Sequence, residues 1–326
     1  MEELSHEYFE ADGRAYTRIT GYDRIPPFLV TVVSSSDCWM FLSSLGPLTA
    51  GRGGPPNALF PYTTEDKIHD AVPHTGPCAW VQAGDARWHP FDPRGRERYR
   101  LERRFSMSTA HDAATFEELN HDLGLAFRAT WEASERHGWA RTVELERIGG
   151  GAPLDVSVVD GFRNLMPADA HPGLQNGSSV LLDAYRSTER VRDLPLAVLR
   201  LSSIPIDQPR PNESLRANVV YTLGVAGART LLDASRVDAF LAGDDVPSTG
   251  RARGQRGAYF AAFRGSVGSD APLRWRHVLD VEKDGADVVG IATELGDPAD
   301  LWARLDAALV RSRDELDAIV GSVDGL

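Results

Sequence analysis

The stretch from Asn120 to Glu146, NHDLGLAFRATWEASERHGWARTVELE, decides the fold class. Leu123, Leu125, Phe127, Ala129 and Trp131 fall on every second residue, with Gly124, Ala126, Arg128 and Thr130 between them. Side chains alternate between the two faces of a strand, so this spacing predicts a half-buried strand. A helix would scatter the same five residues around its circumference. A turn at Ser134–Gly138 leads into Trp139–Ile148, where Trp139, Arg141, Val143 and Leu145 alternate again until Gly149-Gly150-Gly151. The two runs predict an antiparallel pair.

Outward from this pair the texture repeats. RAYTRIT, PFLVTVVS, CWMFLSS, CAWVQAG, RYRLERRFSMS, LDVSVVDG, SVLLDAY, LAVLRLSSI and SLRANVVYTLG are short apolar or alternating runs punctuated by Gly, Pro, Asn, Asp and Ser. Strands at this spacing, with no βα alternation and no fixed repeat, predict a mostly β antiparallel sandwich. Helical spacing concentrates near the end. Asp297-Pro298 reads as an N-cap with proline at the first helical position. Leu301, Leu305, Leu309, Leu316 and Val320 then form a stripe, widened by Trp302, Ala308 and Ile319, over one helix or two broken near Arg311–Asp314. That stripe continues to Val323 and Leu326 without a cap. Ala228–Ala242 is a second helix candidate, and Gly46–Asn57 and Ala242–Gly257 read as loops.

Composition excludes several classes. The 326 residues are 42% apolar and 25% charged, ordinary globular values. A formal charge of -12 argues against nucleic acid as a partner, since phosphate binding rests on clustered Lys and Arg. The basic run Arg94–Arg104 is interrupted by Glu97 and Glu102 and reads as a strand with a solvated face. No apolar run approaches a membrane span, and the acidic opening MEELSHEYFEADGR lacks the features of a signal peptide, so a cytoplasmic location is expected. Cys38 and Cys78 are too few for a disulfide framework and are expected as reduced core residues.

Three kinds of site residue stand out. Thr63–Asp70 gathers Glu65, Asp66, Lys67, His69 and Asp70 beside Phe60 and Tyr62, a set able to move protons if it lines a pocket, and otherwise a charged turn. Asp160-Gly161 has turn chemistry, which gives Asp160 a structural role, while Arg163 and Asn164 are placed to reach a ligand. Among seven tryptophans, Trp39, Trp80 and Trp131 lie in apolar runs. Trp88, flanked by His89 and Phe91 in a loop, is the ring best placed to stack on a sugar. Tyr62, Trp88, Arg163 and Asn164 are therefore the carbohydrate-binding candidates. The histidine-acid pairs at 69–70, 111–112 and 121–122 lack metal-ligand spacing, and no metal or cofactor is expected.

The strings Trp39–Arg52 (WMFLSSLGPLTAGR), Ala58–His69 (ALFPYTTEDKIH), Ser134–Val143 (SERHGWARTV), Val156–Pro167 (VSVVDGFRNLMP), Leu174–Tyr185 (LQNGSSVLLDAY) and Ser214–Gly224 together resemble the N-terminal region of large bacterial cellobiose-phosphorylase-like enzymes. The resemblance implies a super-β-sandwich of galactose-mutarotase type, joined by linker helices to an (α/α)6 barrel that carries the catalytic carboxylates. It makes residues 1–296 a β-sandwich domain and 297–326 a helical linker, the barrel being missing from this sequence. No catalytic acid of that family transfers to this chain. The implied role is a non-catalytic module of a glycoside hydrolase or phosphorylase. Its partners would be carbohydrate, the barrel in cis or in trans, and a second copy in a homodimer. Two alternatives stand beside it: a self-sufficient mutarotase-like enzyme using His69 with Glu65 or Asp70, and an interaction module using the C-terminal stripe.

Overall fold

The computed structural model describes residues 4–64, 66–205 and 213–324. Strand Leu125–Ser134 pairs antiparallel with Gly138–Arg147, setting Phe127 opposite Leu145, Ala129 opposite Val143, Trp131 opposite Arg141 and Ala133 opposite Trp139. Opposed residues share a face, and all eight are buried. The other face is polar: Arg128 lies opposite Glu144 and donates to it at 2.7 Å.

This pair forms the centre of a large antiparallel sheet. Among the described residues its order is Ser5–Ala11, Arg14–Thr20, Leu101–Ser108, Ala114–Asn120, Leu125–Ser134, Gly138–Arg147, Leu273–Lys283, Ala217–Leu223, Leu196–Leu201, Arg186–Arg190 and Arg251–Arg253. A smaller sheet runs Arg229–Leu231, Gly257–Val267, Leu154–Leu165, Gly76–Ala83 and Ala86–Trp88, and a third joins Leu29–Val32, Cys38–Ser43 and Leu48–Arg52. Phe127, Val143 and Trp275 of the large sheet mesh with Val81, Val158 and Phe263 of the smaller one. Phe105, Trp131 and Trp139 pack with Met40, Leu42 and Ala50 of the third. The protein is thus a mostly β sandwich, with its core between the large sheet and the two smaller ones. Helices Gly285–Glu294 and Pro298–Asp324 cover part of the large sheet, where Leu301 and Leu305 pack with Leu196, Tyr221 and Val278. Each such side chain removed from water contributes about 1.5–3 kcal/mol. No helix among the described residues is long and apolar enough to cross a membrane.

Several local readings change. Asp160-Gly161 is no turn; it lies inside the strand Leu154–Leu165, for reasons that are tertiary. SVLLDAY is helical: His171 Nδ1 accepts from Leu174 N–H at 3.2 Å, and two short helices follow, Pro172–Gly177 and Ser179–Tyr185. A short apolar run does not distinguish strand from helix by periodicity. Ala228–Ala242 begins as the strand Arg229–Leu231 and is helical only over Val237–Leu241. Both loops contain strands: Leu48–Arg52 forms a hairpin with the preceding strand Cys38–Ser43, and Arg251–Arg253 pairs with the distant Arg186–Arg190. In the basic run the strand starts only at Leu101, and Arg103 turns inward. Helix Gly285–Glu294, absent from the sequence expectation, starts at a capping box formed by Asp284 and Asp287.

The last helix is continuous from Pro298, and Asp297 Oδ1 accepts from Asp300 N–H at 3.1 Å. Its stripe is buried at Leu301, Leu305, Leu309 and Leu316 and exposed at Ile319, Val320 and Val323. Leu326 lies outside the described residues. Both cysteines are free, Cys38 buried and Cys78 half-buried. Trp131 is buried, whereas Trp39 and Trp80 are only half-buried.

Candidate functional site

A cavity of about 280 Å³ opens between the layers. Four neighbouring strands of the large sheet supply its floor: Arg103, Phe116, Ala129 with Trp131, and Arg141. Leu42 and the segment Pro77–Ala79 form the facing wall, and Asp23, Thr75, His89 and Arg96 lie near the mouth.

The floor is braced by charges placed on core-facing positions. Asp160, fully buried, accepts from Arg141 Nη1 at 2.7 and 3.0 Å, from Trp275 Nε1 at 2.7 Å and from His277 Nε2 at 2.9 Å. On the far side of the ring, the Thr222 hydroxyl lies 2.8 Å from His277 Nδ1 and 2.8 Å from the Tyr259 hydroxyl, which donates to Pro195 O at 2.7 Å. Burial alone would push the Asp160 carboxyl up, but Arg141 and His277 hold it at about 2. Burial pushes His277 down against the pull of Asp160, so the ring is neutral beside a charged Asp160–Arg141 pair.

A second buried acid ties the mouth to the floor. Glu118 accepts from Trp88 Nε1 at 2.6 Å, Phe91 N at 3.0 Å and Arg103 Nε at 2.6 Å, while burial pushes its carboxyl up. Arg103 also donates to Asp92 O at 2.6 Å. Arg96 grips both oxygens of Asp23, at 2.6 and 3.0 Å, and the Asp23 carboxyl is lowered despite its burial. His89 stacks on Trp80 with centroids 5.2 Å apart, and Arg163 lies 5.0 Å from the same ring's centroid.

The residues expected from sequence are distributed differently. Asp66, His69 and Asp70 share one short helix, Asp66–Ala71; both acids are exposed, and His69 Nδ1 sits 2.7 Å from Ser43 Oγ. Glu65 lies outside the described residues. Tyr62 meets Trp39 edge-on at 5.5 Å, away from the cavity lining. Arg163 donates to Pro73 O at 3.2 Å and Asn164 to Thr75 Oγ1 at 2.9 Å, so both pin the rim segment that carries Pro73 and Thr75. Trp88 requires correction. It ends the strand Ala86–Trp88, is fully buried and spends its indole N–H on Glu118, so no face is open to a sugar. Among the described residues no group of acidic, histidine or cysteine side chains forms a metal site.

Arg141 and Asp160 were not singled out as a pair from sequence. The available signal was their register: Arg141 alternates with Trp139, Val143 and Leu145, and Asp160 with Val156, Val158 and Phe162. Opposite charges on two core faces need each other.

His137, in the turn before Gly138, is also buried, and its Nε2 has no partner among the described residues. Burial lowers it to about 4, with Glu294 pulling the other way. An unfolded histidine titrates near ~6.5, so over this window the unfolded chain binds a proton that the native chain does not. The penalty for keeping His137 neutral is therefore absent above pH ~6.5 and grows as pH drops toward 4, to at most about 3 kcal/mol before solvent screening reduces it. Urea unfolding at pH 7 and 4.5 measures this, and His137→Gln should flatten the slope. An NMR titration of His137 with its midpoint near 6.5 would rule the account out.

No family model matches this chain, and no curated protein matches it. Its fold is similar to parts of larger solved structures. One is a bacterial glucoamylase complexed with acarbose, at 9% identity and a TM-score of 0.46, aligned over 97% of this chain and 40% of that one. A second, described as a kojibiose phosphorylase from the human microbiome, has 6% identity and a TM-score of 0.40 over 97% and 37%. Heparinase III has 12% identity and a TM-score of 0.38 over 82% and 37%. The chain spans two fifths or less of the length of each.

Proposed function

We propose that this chain is a non-catalytic β-sandwich module of a carbohydrate-active enzyme of glycoside hydrolase or phosphorylase type. In this reading it scaffolds or lines a sugar site completed by an (α/α)6 barrel, in the same chain or another. The resemblance of residues between 14 and 224 motivates the reading, and the commitment of Asp23, Asp160 and Glu118 carries it. Glycoside chemistry needs a carboxylic acid that can donate its proton across an open pocket, usually opposed by a second carboxylate. Asp23 and Asp160 are held down by arginine, and Glu118 is enclosed by three donors with no exposed surface. None of these three can deliver a proton to a substrate. Arg163 and Asn164 at the rim, with Tyr62 beside Trp39, are the proposed contacts to sugar.

The purified chain should accelerate neither anomeric exchange of aldoses, followed by NMR, nor hydrolysis or phosphorolysis of disaccharides. Acceleration of exchange that disappears in His69→Ala would overturn the proposal in favour of the mutarotase-like alternative.

A further inference from the structure

The large sheet has two edges, and they differ. One is the three-residue strand Arg251–Arg253 with both arginines exposed, and so short and charged an edge gives another strand little to pair with. The other is Ser5–Ala11, seven residues in unbroken register with Arg14–Thr20, without proline, lysine or bulge, and open on its far side among the described residues. Its neighbour shows which of its peptide groups are open. Ala15 O accepts from Thr109 N at 2.9 Å and Gly21 N donates to Arg103 O at 2.7 Å, so the odd-numbered residues there turn toward Leu101–Ser108. The even-numbered ones bond to Ser5, Glu7, Phe9 and Ala11, because residues along an antiparallel strand alternate between their two neighbours. The N–H and C=O groups of His6, Tyr8 and Glu10 therefore point outward. All three residues are exposed, Tyr8 at 75%. Glu7 is taken by Arg18 at 2.9 Å, which leaves Glu10 without a cation among the described residues.

We propose that this edge is the interface with a second copy of the chain, the two Ser5–Ala11 strands pairing antiparallel about a two-fold axis at Tyr8 and joining the two large sheets into one. This register sets His6 opposite the partner's Glu10, Glu7 opposite the partner's Phe9 and Tyr8 opposite the partner's Tyr8. The whole strand is used, and every outward-facing residue meets another, so each such pair exchanges both of its hydrogen bonds. A two-fold contact needs a patch complementary to itself. Here the imidazole of His6 meets the carboxylate of the partner's Glu10 at both ends, and no like charges are opposed. Moving the axis to Glu7 would set that acid against its own copy, and moving it to Phe9 would leave Ser5 and His6 unpaired. The interface does not depend on the role of the module in carbohydrate chemistry.

Sedimentation velocity of the whole chain between about 5 and 500 µM should show a monomer–dimer equilibrium, a range suited to a small interface. Tyr8→Pro should weaken the dimer at least about tenfold, since it removes an N–H that the folded monomer does not use, and an edge strand tolerates proline there. His6→Glu opposes two acids at both ends of the pair and should weaken the dimer about tenfold, and adding Glu10→Lys to it should restore the affinity to within about threefold. Near-UV circular dichroism checks the fold of each variant, and where Tyr8→Pro disturbs it, the exposed change His6→Glu decides. A chain that stays monomeric over this range overturns the proposal. So does a dimer indifferent to these changes, or a weakened one that Glu10→Lys does not restore.

Discussion

Asp160→Asn should lower the free energy of unfolding by about 3–5 kcal/mol, the usual cost of stranding one partner of a buried ion pair. The new side chain has nearly the same volume, so no cavity contributes to the loss. Arg141, 2% exposed, would keep its charge with no counter-ion in contact, and Trp275 Nε1 and His277 Nε2 would face an amide in place of a carboxylate. Urea unfolding at pH 7 measures the loss. Arg141→Met should also be destabilising, and the double variant should be more stable than the sum of the two singles requires, because it buries no unpaired charge. A loss below about 1 kcal/mol for Asp160→Asn would mean that water or a shifted neighbour replaces the carboxylate and that the pair does not brace the cavity floor.

The neighbouring residue carries the second large effect. Gly161→Ala would place a methyl carbon 2.0 Å from Tyr259 O and 2.7 Å from Phe260 Cα. Both are backbone atoms of the adjacent strand Gly257–Val267, in which Phe260 is the register partner of Gly161. No rotamer change relieves such a contact, so the strands must separate at the centre of the smaller sheet. The variant should lose more than about 4 kcal/mol, or accumulate as insoluble chain, placing it in the tail of point-mutant effects. Gly290→Ala is the control. It lies on the helix Gly285–Glu294 with nothing within 4 Å of its added carbon, and should gain up to about 1 kcal/mol from helix propensity. A Gly161→Ala chain with wild-type solubility and near-UV circular dichroism would refute the close approach.

The Asp160-Gly161 dipeptide also shows where sequence reading ran out. Locally it is turn chemistry. In the sheet the same two residues are a buried counter-ion and a gap for a passing backbone, and both roles depend on Arg141 and Tyr259, 19 and 98 residues away in sequence. Trp88 failed in the same way. Its polar flanks suggested a loop, but its ring is enclosed because Glu118 comes from the facing sheet to take its N–H. The charged helix Asp66–Ala71 was visible as a charge cluster, and its residues are not among those lining the cavity between the layers. Arg163 and Asn164 came closest, since they reach the cavity's rim, although they hold it by bonds to Pro73 and Thr75.

What the sequence determined by itself was the strand character of its core and which side chains share a face. Alternation from Leu123 to Leu145 requires one buried face, and the described strands keep that register from Leu125 on, Leu123 falling in the preceding turn. It likewise marked the start of the last helix at Asp297-Pro298, because capping is settled within one turn. The tertiary structure alone decided which strands are neighbours and which buried charges meet, and therefore where a cavity opens. Alternation assigns faces and carries no information about partners. A buried arginine and a buried aspartate become a brace only when two sheets bring them within 2.7 Å.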